Sequence, residues 1–338
     1  MKKVNTKDAV GMILCHDITE IVPGVKKGAA FKKGHVIREE DIEHLLDLGK
    51  YNIFVWDEEN GTVHENEAAD RISKSAAGKG VALSSVSEGK INFVAEYDGI
   101  LKIKREAVYD LNRDREICFS VIHPDKMVKK GQLLGGTRVI PLAVKEETVE
   151  RAEKISSENS PIIEVLPFKP MKIGVVTTGR EVKEGRIKDG FLPVLERKAE
   201  EIGSEIIGQV FPGDDAEEIA AAIKLFIEKG ADMVQVTGGM SVDPDDCTPT
   251  AIRMAATEES YGSPVLPGAM FMLAYAGDVP VVGLPGCVMY SKRTIFDLIV
   301  PRLAAGEKIT REDIVMLAVG GQCEGCEVCT YPKCGFGR

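Results

Sequence analysis

The feature that most constrains the fold is a regular alternation of strand and helix patterns in the second half of the chain. After residue 170, short apolar runs typical of buried strands are separated by longer segments with helical periodicity. In chain order we predict the strand MKIGVVTTG, the helix KDGFLPVLERKAEEIG, the strand SEIIGQVFPGD, the helix DAEEIAAAIKLFIEKG, the strand DMVQVTGG, a helix from Pro249, paired strands in FMLAYAGDVPVVGLPG and a last helix CVMYSKRTIFDLIVPRL. Such an alternation forms a mainly parallel sheet covered by helices on both faces. The sequence therefore predicts a three-layer α/β/α domain whose ligands lie at the carboxyl ends of its strands.

The rest of the sequence predicts further regions, because 338 residues exceed what one compact core normally supports. Across residues 90–144, apolar and polar residues alternate between glycine turns, which indicates β structure. We predict a helix at residues 38–49, a strand in YNIFVW and a connecting helix in EETVERAEKI. The Ser-, Ala- and Gly-rich residues 73–89 indicate a linker or an exposed crossing. The predicted division is a small α+β region at 1–75, a β-rich domain at 85–150, the α/β domain at 168–306, and a strand with a Cys-rich metal-binding tail at 307–338.

Composition excludes several classes of function. A formal net charge of −10 argues against non-specific nucleic-acid binding, which depends on neutralisation of phosphates by Lys and Arg. The amino-terminal residues contain no apolar run long enough for a secretory signal, and the longest apolar stretch is broken by Asp278 and Pro280. We therefore expect a cytoplasmic protein with no membrane association and no nucleic-acid partner.

The segment VTGGMSVDPDDCTPTA combines a glycine pair with a group of acids. Gly238 and Gly239 allow a backbone to approach an anion closely, and Thr248 with Pro249 is typical of a helix start that has Thr248 as the N-cap. The acids are Asp243, Asp245 and Asp246. Carboxylates beside a phosphate are consistent with a shared Mg²⁺ ion. The alternative is a solvated turn in which the Asp residues cap backbone amides.

Three motifs at predicted strand ends carry a family resemblance. VTTGREV, VTGGMSVDPDDCTPTAI and VPVVGLPGCVMYS resemble the molybdenum-cofactor biosynthesis domain over residues 171–306. This domain is shared by molybdopterin adenylyltransferases (MoaB/Mog type), molybdopterin molybdenumtransferases (MoeA type) and competence-damage (CinA) proteins. The resemblance implies a three-layer α/β fold that binds molybdopterin or adenylylated molybdopterin.

The resemblance also implies roles for individual residues. The expected pterin-binding residues are Thr178, Gly179, Arg180, Thr237, Gly238, Gly239, Ser241, Thr248, Pro285 and Gly286. The expected catalytic residues are Asp246, Asp245 and Glu181, and the expected magnesium ligands are Asp243 and Asp246.

The motifs depart from the molybdenumtransferase pattern at three places. Arg180 replaces the acid of Thr-Gly-Asp-Glu, Ala269 replaces the lysine of Pro-Gly-Lys-Pro, and Cys287-Val288 replaces an Asn-Pro. These changes affect the expectation of catalysis more than the expectation of the fold.

The order of regions favours the molybdenumtransferase arrangement, in which a long, partly β region precedes the α/β domain. The predicted function is Mg²⁺-dependent insertion of molybdate into adenylylated molybdopterin with release of AMP, in a homo-oligomer. One alternative is a non-catalytic molybdopterin carrier or sensor with a molybdoenzyme as its partner. Another is a CinA-like nucleotide pyrophosphatase, which the segment DDCT suggests.

The chain ends in a cysteine cluster, CEGCEVCTYPKCGFGR, which we call the cysteine tail (residues 323–338). Its Cys-x2-Cys-x2-Cys-x4-Cys spacing involves Cys323, Cys326, Cys329 and Cys334 and indicates metal binding rather than disulfides. An iron–sulfur cluster is favoured over zinc, because structural zinc sites more often pair two separated Cys-x2-Cys knuckles. A redox or metal-delivery tail is the third alternative. Since the tail is polar and Gly-rich, we expect it to be disordered without a metal.

Overall fold

The computed structural model describes residues 2–22, 26–55, 61–241, 243–244 and 246–337. The chain divides into two compact units. The first comprises Met1–Val94, Lys104–Ile122 and Leu133–Ile163, and the second comprises Ala95–Ile103, His123–Gln132 and Glu164–Arg338.

The strands, in chain order, are β1 (Lys2–Asn5), β2 (Ile18–Val22), β3 (Lys26–Phe31), β4 (Asn52–Val55), β5 (Thr62–His64), β6 (Val81–Leu83), β7 (Lys90–Ala95), β8 (Gly99–Ile103), β9 (Ile117–Val121), β10 (Met127–Val128), β11 (Leu133–Val139), β12 (Ala143–Lys145), β13 (Ile163–Pro167), β14 (Lys172–Thr177), β15 (Glu205–Val210), β16 (Met233–Thr237), β17 (Thr257–Tyr261), β18 (Met272–Ala276) and β19 (Val279–Leu284). The helices are α1 (Asp41–Asp47), α2 (Glu65–Ala76), α3 (Arg105–Asn112), α4 (Glu146–Glu158), α5 (Arg180–Lys183), α6 (Leu192–Glu200), α7 (Ala216–Glu228), α8 (Thr248–Ala255), α9 (Cys287–Tyr290), α10 (Ile295–Ala304) and α11 (Arg311–Val315), with short 3-10 helices at Thr6–Asp8 and Met316–Ala318.

The amino-terminal part of the first unit has its own apolar core. Strand β1 pairs with β4, and β2 with β3, both antiparallel. Leu14, Ile37, Leu45 and Ile53 are almost completely buried between these strands and α1. The helix predicted within residues 38–49 is confirmed as α1, and the strand predicted in YNIFVW as β4.

The rest of the first unit combines helices with the sheet β6-β7-β11-β9, in which β11 pairs antiparallel with β7 and β9. The connecting helix is confirmed as α4, but two other predictions are wrong in part. Residues 73–76 are not a linker, because they complete α2, whose residues Ala68, Ile72 and Ala76 recur at helical spacing and are buried, and α2 packs on α4. The segment REAVYDLN, included in the β pattern predicted for residues 90–144, is the helix α3, which buries Ala107, Val108 and Leu111 on one face, whereas β7 to β11 supply the predicted strands around it.

The second unit is built on a six-stranded sheet with the order β15-β14-β16-β19-β18-β17. The first four strands are parallel, and β18 and β17 are antiparallel. Ile173 and Val175 of β14 lie in a core with α6 and α10, while Val176 of the same strand lies in a core with α7 and α8. Helices therefore cover both faces of the sheet, and the predicted three-layer α/β/α fold is confirmed.

A smaller sheet, β10-β8-β13, belongs to the same unit. Its central strand β8 pairs antiparallel with β10. The hydroxyl of Tyr97 donates to the carbonyl of Val165 in β13 at 2.9 Å. Residues from far apart in the sequence thus complete one structural unit.

The carboxyl-terminal elements differ from the prediction in two respects. The expected single last helix is two helices, α9 and α10, because Thr294 and Asp297 form a capping box that starts α10. Within residues 307–337 the structure has α11 where a strand was expected, since Thr310 and Asp313 form a second capping box. Among the described residues, no helix has both the length and the apolar composition needed to cross a membrane.

Candidate functional site

Three neighbouring parallel strands end side by side at one edge of the large sheet. Thr177 of β14 lies opposite Thr237 of β16, which in turn lies opposite Leu284 of β19. The loops that follow these strands therefore start at the same edge. We call the loop residues 178–179, 238–241 and 285–286 the glycine rim.

Hydrogen bonds connect two of these loops to the start of α8. The amide of Thr178 donates to the carbonyl of Thr237 at 2.8 Å. The hydroxyl of Thr248 donates to the carbonyl of Gly238 at 2.9 Å and lies 3.3 Å from the hydroxyl of Thr178. Thr248 is the first residue of α8 and Cys247 occupies the N-cap position, so the prediction of Thr248 as N-cap is wrong. Its hydroxyl bonds to the glycine loop instead.

The glycine pair is required by packing within the protein. Gly238 and Gly239 have φ angles of +84° and +55°, where residues with a Cβ are strained. A Cβ on Gly238 would lie 2.6 Å from the Thr178 hydroxyl oxygen, and one on Gly239 would lie 2.7 Å from that of Thr248. The two glycines therefore let the loops after β14 and β16 approach each other.

The acids after the glycine pair form a local turn. The amide of Asp246 donates to the carbonyl of Asp243 at 3.0 Å, and the amide of Asp243 donates to a carboxylate oxygen of Asp246 at 3.2 Å. Asp243 is exposed and Asp246 is half-buried. Asp245, predicted as catalytic, lies outside the described residues. The contacts of Asp246 are those of the capping turn that the sequence left open as an alternative.

A further acid, which the sequence analysis missed, lies at the same edge. The carboxylate of Asp214, in the loop after β15, accepts a hydrogen bond from the amide of Arg180 at 2.8 Å. Burial raises the pKa of the Cys247 thiol, and the negative charges of Asp214, Asp215 and Asp246 raise it further. Carboxylates from two loops therefore share one neighbourhood. The sequence FPGDD could have indicated Asp214 as a site residue, because it follows a predicted parallel strand and such loops lie at the same edge of the sheet.

The side chain of Gln209, which the sequence did not single out, connects the loop before α6 to the end of β14. The side-chain amide of Gln209 donates to the Thr177 hydroxyl at 2.8 Å and to the carboxylate of Asp189 at 2.7 Å. Asp189 also accepts from the amides of Phe191 and Leu192 at the start of α6. These contacts are made by ordinary polar residues, and no sequence motif marks them.

The other predicted site residues lie on the same loops. Arg180 and Glu181 are exposed in α5, and Ser241 is exposed after the glycine pair. Pro285 is buried, whereas Gly286 is exposed immediately before α9. The structure thus brings together all the predicted pterin-binding residues at the end of β14, β16 or β19 or at the start of the helix that follows.

The predicted tail ligands occupy a different place in the second unit. A cavity of about 450 Å³ is lined by Cys323, Cys326, Cys329 and Cys334. Among the described residues, no three His, Cys, Asp or Glu side chains are grouped closely enough to hold one metal ion. The four cysteines therefore face one space without converging on one point.

The tail also contributes to the core of the α/β domain, although its polar and Gly-rich composition led us to expect disorder without a metal. Phe336 is buried in the core that contains α10, and Tyr331 packs against it. The Tyr331 hydroxyl donates to the carbonyl of Asp297 at 2.8 Å. The aromatic side chains of Tyr331 and Phe336 therefore anchor a segment whose composition is otherwise polar and Gly-rich.

Comparisons with known proteins match separate parts of the chain. A family model described as "Probable molybdopterin binding domain" matches residues 174–305, and one described as a domain of unknown function matches residues 3–57. CinA-like proteins of Mycobacterium avium strain 104 and Mycobacterium tuberculosis strain H37Ra are 31% and 32% identical over 77 residues, or 23% of this chain. The chain spans only 18% of the length of these relatives.

Solved structures with similar folds include two described as MoaB. The molybdopterin biosynthesis enzyme MoaB from Thermus thermophilus is 18% identical, with 40% of this chain and 98% of that chain covered and a TM-score of 0.35. The tungsten cofactor synthesizing protein MoaB from Pyrococcus furiosus is 23% identical, with 40% and 92% covered and a TM-score of 0.33. Residues 174–305, the greater part of the large α/β domain, are therefore similar to the family described as a probable molybdopterin binding domain.

Proposed function

We propose that the glycine rim binds the phosphate end of molybdopterin or adenylylated molybdopterin, and that the chain promotes Mg²⁺-dependent insertion of molybdate with release of AMP. The observation that carries the proposal is the meeting of three family motifs at one sheet edge, where Thr177, Thr237 and Leu284 end neighbouring parallel strands. Phosphate groups bind at such edges because backbone amides and helix amino termini there carry partial positive charge.

The side chains at the rim suit an anionic ligand that carries a metal ion. Arg180 is exposed beside Gly179 and supplies a positive charge for phosphate or molybdate. Asp214 and Asp246 supply carboxylates from two loops near Cys247. Mg²⁺ takes one or two carboxylates together with phosphate oxygens, so this donor set fits it. When bound, the ion would neutralise charge that develops on the leaving phosphate.

The chain's own residues would hold the reacting groups in place. Thr178 and Thr248 keep the two glycine loops together, so the rim needs little rearrangement when a ligand arrives. Asp214 accepts from the Arg180 amide and thereby orients the start of α5. In this arrangement Asp246 and Asp214 would act as metal ligands, and Arg180 and the rim amides would donate hydrogen bonds to the anionic ligand.

One observation favours the alternative in which the protein carries the pterin without turnover. A carboxylate oxygen of Asp246 is already engaged by the amide of Asp243. If this contact persists when ligand binds, Asp246 serves the turn rather than a metal ion. The replacement of the family's lysine by Ala269 points in the same direction.

Release of AMP distinguishes these functions. Full-length protein would be mixed with adenylylated molybdopterin, Mg²⁺ and molybdate, and both pterin binding and AMP would be measured. We expect molybdate-dependent AMP release that is lost on omission of Mg²⁺. Tight pterin binding without AMP release would support the carrier, and hydrolysis of ADP-ribose would support the pyrophosphatase.

Acid variants test the assignment of residues. We expect Asp246→Ala and Asp214→Asn to slow AMP release, because both remove a carboxylate from the rim. Asp278→Asn is the matched control, since this exposed acid lies in the turn before β19, at the opposite edge of the sheet. An Asp246→Ala protein that releases AMP as fast as the wild type would refute the catalytic assignment.

A further inference from the structure

The cavity lined by the cysteine tail is not explained by pterin binding at the glycine rim. All four tail cysteines line its wall, together with Lys292, Arg293 and the aromatic side chains of Tyr331 and Phe336. Cys326 and Cys329 are exposed, whereas Cys323 and Cys334 are half-buried and pack against the domain core. A wall that contains four thiols and an apolar base is suited to a soft metal centre.

The cysteine spacing favours an iron–sulfur cluster over one zinc ion, because three cysteines at successive three-residue steps are typical of ferredoxin runs, whereas structural zinc sites more often pair two separated Cys-x2-Cys knuckles. Four thiolates around a single Zn²⁺ ion lie about 2.3 Å from it, so their sulfur atoms must be nearly in contact. No three ligand-type side chains in the described part of the chain meet that requirement. The four cysteines instead share the wall of one cavity of about 450 Å³. A polynuclear centre, by contrast, needs thiolates that surround a volume.

The tail is held in this arrangement from both sides of the cysteines. The amide of Cys323 donates to the carbonyl of Leu266 at 2.8 Å, and the amide of Gly337 donates to the carbonyl of Gly320 at 2.9 Å. Between these ends, the ammonium of Lys292 donates to the carbonyl of Glu327 at 2.9 Å. The cysteines are therefore presented by anchored backbone, which lowers the entropy lost when a ligand binds them.

The cavity is lined by charges of both signs, since Lys292 and Arg293 lie on its wall together with Glu324 and Glu327. The Arg293 guanidinium lies 5.0 Å from the ring centre of Tyr331 and bonds to the carboxylates of Glu201 and Asp297 at 2.8 and 2.7 Å. Lys292 and Arg293 place positive charge on the wall, where it would oppose the negative charge of four thiolates. Hydrogen bonds and charges of this kind tune iron–sulfur centres.

We propose that Cys323, Cys326, Cys329 and Cys334 bind one iron–sulfur cluster in this cavity. The cavity also lies close to the glycine rim along the chain. Ser291, Lys292 and Arg293 line the cavity, and the four-residue helix α9 joins them to Gly286 of the rim. The Cα atoms of Gly286 and Ser291 can be at most about 18 Å apart, because a fully extended chain spans about 3.6 Å per residue. The cluster site is thus a neighbour of the pterin site, although its existence does not depend on the proposed pterin function.

Anaerobic reconstitution tests the proposal. Full-length protein would be incubated with ferrous iron and sulfide, and separately with Zn²⁺, and then freed of unbound metal. We expect about two or four irons per chain with an equal amount of acid-labile sulfide, and a visible absorption that a reductant bleaches. One zinc per chain with no sulfide-dependent iron binding would overturn the proposal, and so would the absence of any bound metal.

Variants identify the ligands. Cys326→Ser and Cys329→Ser change exposed residues, so they should fold, and we expect loss of most of the bound iron and of the visible absorption. Cys118→Ser is the control, because Cys118 lies in the other unit, and it should keep the full iron content. Alkylation followed by mass spectrometry gives a second measurement. Reconstitution should protect all four tail cysteines, and equal labelling before and after reconstitution would overturn the assignment.

Discussion

At the scale of single residues, Gly238 has the most demanding geometry at the rim. Its φ of +84° excludes most residues, and the Thr178 hydroxyl leaves no room for a side chain. Gly230 provides a natural comparison. Its φ is +80°, but a Cβ there would meet nothing within 4 Å. Both glycines have the same backbone strain, so a difference between their alanine variants measures the cost of the contact between the loops at Gly238.

Gly238→Ala should be more destabilising than Gly230→Ala. Backbone strain at a left-handed position costs about 1–2 kcal/mol in either variant. The contact with Thr178 should add about 1–3 kcal/mol at residue 238 alone, as overpacking does. Urea unfolding of both variants measures the difference, and pterin binding should weaken only in Gly238→Ala. Equal losses of stability would show that the loops move apart easily.

Glu65 should make the stability of the protein depend on pH. Burial raises the pKa of its carboxyl group above the usual 4.5, although Arg138 at 3.5 Å partly opposes the effect. The unfolded chain therefore loses this proton at a lower pH than the folded chain does. The free energy of unfolding should then fall as the pH rises from 4.5 towards the folded-state pKa.

The variant Glu65→Gln should lack this component of the pH dependence. Relative to wild type, it should gain stability between pH 4.5 and neutrality, as measured by urea unfolding at several pH values. Glu67→Gln controls for the loss of an acid in the first turn of α2, since Glu67 is exposed. Parallel stability curves for wild type and Glu65→Gln would contradict the assignment.

At the scale of elements, the short segment between α9 and α10 links the two candidate sites. The sequence CVMYSKRTIFDLIVPRL reads as one helix, yet the capping box of Thr294 and Asp297 divides it. Residues Ser291 to Arg293 are therefore not helical, and they line the cysteine cavity. Asp297 also accepts from the buried Lys198 ammonium at 2.5 Å. A local capping signal therefore determines which side chains reach the cavity.

Much of the α/β domain could be predicted from sequence because its strands are apolar runs and its helices have clear periodicity. Asp215, for example, is an acid directly before a periodic apolar pattern, and it caps α7 through the amides of Glu217 and Glu218. Contacts such as Gln209 with Asp189 could not be predicted, because they join residues whose proximity only the folded chain creates. The carboxyl-terminal turn of α2, residues 73–76, was predicted as linker because Ser and Ala are also common in linkers.

Phe336→Ala should release the cysteine tail without unfolding the α/β domain. Phe336 is 7% exposed, and loss of a buried Phe side chain costs about 3–5 kcal/mol. A loss of about 3 kcal/mol raises the undocked population roughly a hundredfold. Tryptic cleavage after the exposed Lys333 should accelerate accordingly. Val328→Ala is the control, because Val328 is 76% exposed in the same tail, and its cleavage rate should match that of wild type.

At the scale of the whole molecule, the second unit is not a contiguous piece of sequence. It takes residues 95–103 and 123–132 from within the first half of the chain. Strand β8 belongs to these residues and is the central strand of the sheet that contains β13. Lys102, also in β8, bonds to the carboxylate of Glu307 at 2.8 Å. The domain matched by the family model is thus only part of a larger structural unit.

A fragment of residues 164–338 should therefore be less stable than the full chain. It lacks β8 and β10, so the backbone groups of β13 lose their partners, and thermal unfolding should occur at a lower temperature or with aggregation. A fragment of residues 61–338 is the control, because it retains every segment of the second unit. If both fragments melted alike, β8 and β10 would contribute little to the second unit.

The threading of β8 through the first half of the sequence has a consequence for synthesis on the ribosome. Residues 95–103 emerge well before Ile163–Pro167, the strand that completes their sheet. Residues 104–162 are translated after β8 and before β13. During this part of elongation, β8 lacks one of its two neighbouring strands. The second unit can therefore complete its smaller sheet only when the newly made β13 pairs with β8, a strand that left the ribosome much earlier.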